Sequence, residues 1–299
     1  MRTCDHDRVA PPVLDPATTL GAVRLRVADL AGARSFYERA LGLEARADGE
    51  VVALGVPGGP ALVELREQAD AAPRRPGASG LFHLALLLPS RAELARALWR
   101  LARERVPLTG ASDHLVSEAL YLADPEGNGI ELYRDRPREE WERDGGELRM
   151  ATLPLDLDPL LAEAPAEPEA AIAPGTRLGH VHLQVADLRA AEAFYGGALG
   201  FEAMVRGSPG ALFLAAGGYH HHVGLNTWAS RSAAAVSSRS PGRTTSKRSS
   251  PRTPCSFGGP PRARPRARSP RGCSRATRSA TTCCCGRELA SRARLLEGS

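Results

Sequence analysis

Two histidines and a glutamate carry the chemistry that is most legible in this 299-residue chain. The glutamate, Glu131, lies in the stretch Asp113–Tyr133, DHLVSEALYLADPEGNGIELY. Pro125 fixes φ there, and Gly127 and Gly129 tolerate positive φ, so Asp124-Pro125-Glu126-Gly127 reads as a tight hairpin turn. Leu120–Leu122 is the strand before the turn and Ile130–Tyr133 the strand after it. Alternation puts Ile130 and Leu132 on one face of that strand and Glu131 and Tyr133 on the other. A carboxylate so placed is either solvated or working. His180 lies seven residues before Asp187, and His83 lies seven residues before Ser90. Both fall on a predicted strand that opens a unit. Each alone is also the ordinary histidine of a half-buried strand. Two histidines and one carboxylate on inward strand faces form the facial triad of non-haem Fe(II) sites, which leaves three adjacent coordination positions open. His182 shares the face of His180, so it either competes as a ligand or supports the site from behind.

The elements that hold these residues repeat. Val27-Ala28-Asp29-Leu30 returns as Val185-Ala186-Asp187-Leu188. Phe36-Tyr37 returns as Phe194-Tyr195, and Leu41-Gly42-Leu43-Glu44 as Leu199-Gly200-Phe201-Glu202, always at an offset of 158 residues. One offset held across that many identities marks a duplicated unit. In the first copy Val23, Leu25 and Val27 alternate with Arg24 and Arg26, a half-buried strand. Asp29 caps a helix to about Leu41, with Leu30, Ala33, Phe36, Tyr37 and Ala40 inward, and Gly42 stops it. Two strands follow, Glu50–Val56 and Ala61–Arg66, with one more short strand expected. Between the copies Leu81–Leu88 is a strand, and a helix from Pro89-Ser90 runs to about Arg105. The fold class is therefore α+β, with βαβββ units curling into half-barrel sheets. Three units are expected, at 18–68, 79–135 and 177–228. The first two make one domain, 18–136, and the third is half of a second domain, 177–229. Residues 1–17 form a loose lead-in. The connector 137–176 opens with a short helix at Pro137–Trp141 and contains a linker at 162–174.

Charge divides the chain. Residues 230–299 hold 16 basic and 2 acidic residues, and the remainder holds 23 and 32. An acidic body gives no case for nucleic acid. No apolar run suggests a signal peptide or a membrane span, so a cytoplasmic protein is expected. Only Cys4 lies outside the tail, which fits a reducing compartment and rules out a disulfide framework.

The repeated βαβββ units, the V-A-D-L helix starts, the F-Y pairs and the first-strand histidines resemble the vicinal oxygen chelate superfamily (glyoxalase, bleomycin resistance and extradiol dioxygenase). The stretch around Glu131 resembles the signature of its extradiol ring-cleavage dioxygenases, of the catechol 2,3-dioxygenase type. The matching residues are His114, Leu120-Tyr121, Asp124-Pro125, Gly127 and Glu131; Ser112 departs from the pattern. The resemblance covers residues 18–228. It implies a mononuclear Fe(II), with Mn(II) as the alternative, held by His83, Glu131 and His180. It implies a catecholic substrate and dioxygen as partners, and leaves an oligomer open. Tyr121 then resembles the tyrosine that bonds a substrate oxygen. The run His220-His221-His222 resembles the active-site histidine pair, with His222 favoured as acid/base and His221 next. His114 and His182 become substrate-side or supporting residues. The same resemblance leaves two other readings: a glyoxalase-like metal enzyme, and a metal-free small-molecule binder. It also pairs unit two with unit three around the metal and leaves unit one to pair with a fourth.

From about Ser230 the sequence loses any strand or helix period and becomes rich in Arg, Ser, Pro and Cys. One Lys against 38 Arg points to a GC-rich gene, in which a shifted frame yields this composition. The expectation is a frameshifted tail in place of the fourth unit, with a disordered basic tail as the alternative. Unit one would then expose the inner face of its sheet and favour aggregation.

Overall fold

The computed structural model describes residues 12–48, 50–70, 77–165 and 171–229. All of these belong to one compact unit. A second grouping, 236–283, lies outside the described residues, as does the whole tail from 230.

Unit one is β1 (Val23–Val27), α1 (Leu30–Leu41), β2 (Glu44–Asp48), β3 (Val51–Gly55) and β4 (Ala61–Glu67). Asp29 Oδ1 accepts the Gly32 N–H at 2.9 Å and caps α1. Gly42 closes the helix at φ 73°, a left-handed conformation that suits a residue without Cβ. Ala33, Tyr37, Ala40 and Leu41 form the buried stripe of α1. They pack on Leu25, Val27, Val63 and Leu65, the helix-facing residues of a four-stranded sheet in the order β1-β4-β3-β2.

Unit two is β5 (Gly80–Leu87), α2 (Arg91–Arg103), β6 (Gly110–Asp113), β7 (Ser117–Ala123) and β8 (Gly129–Asp135). Ser90 caps α2. The helix ends two residues earlier than its pattern suggests, and Arg105 stands at φ 57°.

The connector holds more structure than the short helix expected at its start. It holds a 3-10 turn (Arg138–Glu140), the hairpin β9 (Arg143–Asp144) and β10 (Glu147–Leu148), β11 (Leu153–Pro154), and α3 (Leu157–Leu161). β11 pairs with β6. Leu148, Leu160, Ile172 and Ala173 are buried. Arg100 ties the stretch to unit one, donating to the carbonyls of Leu41 at 2.7 Å and Ala171 at 3.1 Å. Aliphatic residues spaced through an Ala/Pro/Glu-rich segment are enough to bury it. Residues 166–170 of the expected linker lie outside the described residues.

Unit three is β12 (Arg177–Gln184), α4 (Leu188–Glu192), a π-helical turn (Ala193–Ala198), β13 (Glu202–Val205), β14 (Ala211–Ala215) and β15 (Val223–Asn226). Asp187 repeats the cap of Asp29, accepting from Arg189 N at 2.8 Å. The helix then widens where Gly196-Gly197 weakens it. Phe194 is consequently 54 % exposed.

Units two and three fuse into one nine-stranded sheet, β11-β6-β7-β8-β5-β12-β15-β14-β13. The junction is the antiparallel pair β5·β12, which sets His182 opposite His83. Unit one keeps its own sheet but grips the hairpin turn of unit two. Tyr37 Oη donates to Asp124 Oδ2 at 3.1 Å, and Ala28 N and Asp29 N donate to Glu126 Oε1 at 2.6 and 2.9 Å.

Two expectations change. The described part of the lead-in, 12–17, is held rather than loose: Leu14 N donates to Gly200 O at 3.1 Å. The open face of the unit-one sheet is charged rather than apolar. Arg24 pairs with Glu64 and Arg66 with Glu50, each at 2.6 Å, and Arg26 is exposed beside them. Alternation sends every large aliphatic of β1 to the helix side, and among these charges the open face carries Val51 and Ala53 of β3, opposite Arg66 and Glu64.

Candidate metal centre

The β5·β12 junction and β8 bring three side chains to one point. Glu131 leaves β8 on the face it shares with Tyr133, and β8 runs parallel to β5 with Glu131 opposite Ala85. His83 comes from β5 and His180 from β12. Glu131 Oε2 lies 2.9 Å from both His83 Nε2 and His180 Nε2. The three residues are 6 %, 3 % and 1 % exposed in the order His83, Glu131, His180. Their ligand atoms all lie within 4.8 Å of one another, close enough to share a metal ion. His180 makes a hydrogen bond to the carboxylate. His83 Nε2 is equally near but off the hydrogen-bond direction, and it has no partner. A buried imidazole nitrogen left in this way, beside a second imidazole and a carboxylate, is a donor set that fits a divalent first-row metal.

The electrostatics agree with that fit. Burial raises the Glu131 carboxyl, but the attraction and hydrogen bond of His180, then the adjacent His83 ring, outweigh it and hold the group well below the usual carboxylate range. Burial takes His180 down to about 4, against the opposing pull of Glu131. Burial, then the neighbouring imidazoles, also depresses His182 and His221. Neutral imidazoles beside an ionised carboxylate are the protonation states a cation requires.

A cavity of about 880 Å³ opens over His83 and Glu131. Tyr121 stands opposite Glu131 across β7·β8 and faces this cavity. Its hydroxyl is 2.6 Å from His114 Nε2, and His114 Nδ1 is 2.7 Å from the Ala151 carbonyl. A carbonyl only accepts, so Nδ1 carries the proton in the neutral ring. Nε2 then accepts from Tyr121. Burial and then Glu131 push the Tyr121 hydroxyl well above its usual value. His182 lines the cavity with an unpartnered Nε2. It lies outside the metal-sized group. Its ring sits where a Cβ on Gly224 would be, 3.0 Å from Cγ. Phe82, Trp228 and His182 form an aromatic wall with ring centroids 5.4–5.6 Å apart.

The three-histidine run lies in the bend before β15 and divides between three environments. His221 lines the main cavity and packs its ring on His180, with centroids 4.0 Å apart. His220 is fully buried against Asp135. His222 lines a separate small pocket with Arg138 and Arg177, and its Nδ1 accepts from Ala216 N at 3.2 Å. The structure thus brings His221, and not the favoured His222, to the main cavity, because a bend does not keep strand alternation. Sequence reasoning missed Asp135 as part of this region. The alternation that pairs Glu131 with Tyr133 carries Asp135 to the same face. Tyr133 Oη bonds Tyr219 Oη at 2.8 Å in the space left by the missing side chain of Gly179.

No helix among the described residues is long and apolar enough to cross a membrane. The chain is 42 % identical over 228 residues to a catechol-2,3-dioxygenase of Bacillus subtilis (strain 168), covering 72 % of this chain and 77 % of that protein. A glyoxalase/dioxygenase structure from Nostoc punctiforme is 22 % identical, with a TM-score of 0.37, over 43 % of this chain and all of its own. A lactoylglutathione lyase structure from Agrobacterium tumefaciens is 26 % identical, with a TM-score of 0.32, over 40 % of this chain and 96 % of its own. The family described as Glyoxalase/Bleomycin resistance protein/Dioxygenase superfamily matches residues 19–132 and 177–245. With the repeated units, the fused half-barrel sheet and the buried His–Glu–His group, the chain belongs to this superfamily.

Proposed function

We propose that this chain is an extradiol ring-cleaving dioxygenase that inserts dioxygen into a catechol beside its hydroxyl-bearing carbons. The observation that carries the reading is the convergence of His83, Glu131 and His180 under a cavity walled by Tyr121, His114 and His221. The relative named catechol-2,3-dioxygenase supports it. His83, Glu131 and His180 would hold Fe(II), with Mn(II) as the alternative, and the ion supplies chelation of the diol and activation of dioxygen. The side chains do the rest. Tyr121 spends its proton on the bond to His114, so its oxygen would accept a hydrogen bond from a substrate hydroxyl. His114 orients Tyr121 through the 2.6 Å contact. His221 takes the proton that a catechol gives up on binding and can return it during cleavage. Phe82, Trp228 and His182 pack on the ring and exclude water.

We further read the tail from about 230 as a frameshifted replacement of a fourth βαβββ unit, and residues 18–136 and 177–229 as one and a half two-unit domains. Resequencing the coding DNA tests this. A shifted frame near codon 230 should encode a strand, a capped helix and a D-P-x-G-N turn, and its absence removes the idea.

The test of function is anaerobic reconstitution with Fe(II), then catechol and air, following the yellow ring-opened product by absorbance. Wild type should form product, and His83→Ala, Glu131→Ala and His180→Ala should not. Wild-type protein that binds Fe(II) stoichiometrically yet opens no catechol would overturn the reading.

A further inference from the structure

β8 delivers Glu131 to the metal group and Asp135 to a second, connected one. Asp135 Oδ1 is 2.8 Å from His220 Nε2 and accepts the Tyr219 hydroxyl at 3.2 Å. His220 is fully buried, with the rings of Tyr219, Trp141 and Tyr133 at centroid distances of 4.1, 5.5 and 5.9 Å. Its other nitrogen, Nδ1, faces His221 Nδ1 at 2.7 Å. Two imidazole nitrogens at that distance need one proton between them. A carboxylate only accepts, so His220 carries its proton on Nε2. In the neutral ring His220 Nδ1 is then a lone pair, and the shared proton belongs to His221 Nδ1. The remaining nitrogen of His221, Nε2, is left bare, on the ring edge not committed to His220. His221 lines the cavity.

We propose that Asp135 and His220 are positioning residues: they lock His221 in its Nδ1–H tautomer and leave its Nε2 lone pair for the cavity. The chain Asp135–His220–His221 has the logic of a carboxylate orienting a catalytic imidazole, extended by one ring. His222 is excluded from it by its Ala216 contact and its separate pocket. The catalytic use of the lone pair, as acceptor of a catechol proton, rests on the dioxygenase reading above; the tautomer does not.

The experiment is long-range 1H–15N correlation on the full, metal-free chain labelled with 15N-histidine, at about pH 8. It reports which ring nitrogen of each histidine bears the proton. Signals are assigned by single His→Gln substitutions. His220 should show Nε2–H, and His221 should show Nδ1–H, the form a free histidine disfavours. Asp135→Leu removes the acceptor that fixes the proton on His220 Nε2, so His220 is freed to donate through Nδ1 and His221 then shifts toward Nε2–H. A wild-type His221 bearing Nε2–H overturns the proposal, and so does a folded Asp135→Leu with unchanged tautomers. If Asp135→Leu does not fold, the wild-type spectrum decides alone. In Fe(II)-loaded protein Asp135→Leu should lower kcat about 10²-fold or more and leave KM within about twofold. An inverted tautomer with unchanged kcat would overturn the positioning role. Wild type with the expected tautomers and no ring cleavage would sink the dioxygenase reading and leave the lock in place.

Discussion

Gly179→Ala probes how tightly the back of the site is packed. A Cβ built on Gly179 overlaps the Tyr133 hydroxyl, comes 2.7 Å from Tyr133 Cζ and 3.0 Å from Leu87 Cβ. Tyr133 is fully buried, so its ring has no solvent to move into. Overpacking a core costs roughly 1–3 kcal/mol. Displacing the ring also breaks the 2.8 Å bond to Tyr219, about 1 kcal/mol more. The stiffer unfolded chain returns roughly 0.5 kcal/mol. The expected net loss is therefore about 1.5–3.5 kcal/mol, or roughly 3–14 °C in Tm for a body of this size. Tyr133→Phe alone should cost about 1 kcal/mol, since Tyr219 keeps its bond to Asp135. The double variant removes the overlapping oxygen, so it should lose less than the sum by roughly 1–2 kcal/mol. Thermal and urea unfolding of the four proteins give the cycle. A neutral Gly179→Ala, or strict additivity, would refute the packing argument.

Other outcomes follow from the same geometry. Mn(II), Fe(II) or Zn(II) at 100-fold its Kd should stabilise wild type by about 2.7 kcal/mol and leave Glu131→Ala unmoved, which differential scanning fluorimetry reads. Arg105→Gly should stabilise by about 1 kcal/mol, because Arg105 holds φ 57° just past α2, where α1 has Gly42; denaturant unfolding checks it. Metal-free protein should lose stability as pH falls from about 6.5 to about 4. His180 and His222 resist protonation in the fold until about 4. The unfolded chain therefore binds more protons across that window. His222→Gln should flatten the slope, and a flat wild-type profile would contradict it. Glu131 acts in the same sense at lower pH, its contribution being present above the usual carboxylate pKa and lost as pH falls below that range.

The sequence yields most where one rule covers a whole element. The 158-residue offset locates both aspartate caps, and both bond as caps do. Strand alternation puts Glu131 and Tyr133 inside and, pushed two residues past Tyr133, would also have found Asp135. It fails at His220–His222, which occupy a bend with no period to read. Composition also misleads in the connector, where Leu148, Leu160, Ile172 and Ala173 enter the core from a stretch that averages as spacer. The aromatic wall is equally hidden: Phe82 on β5 and Trp228 after β15 meet only because β5 and β15 both flank β12.

The edge of the unit-one sheet has a consequence for how this chain meets its own copies. Among the described residues β1 pairs only with β4, so its outer row of N–H and C=O groups is open. The pairing used inside the molecule is antiparallel, first strand against first strand, as in β5·β12. Two copies of β1 meeting that way about Leu25 would set Arg24 of each against Arg26 of the other. Like charges directly opposite destabilise a strand pair, and a charged edge is a poor template for further strands. The first unit therefore refuses itself while remaining able to accept a strand of complementary charge. An unpaired edge of this charge pattern need not seed a fibre.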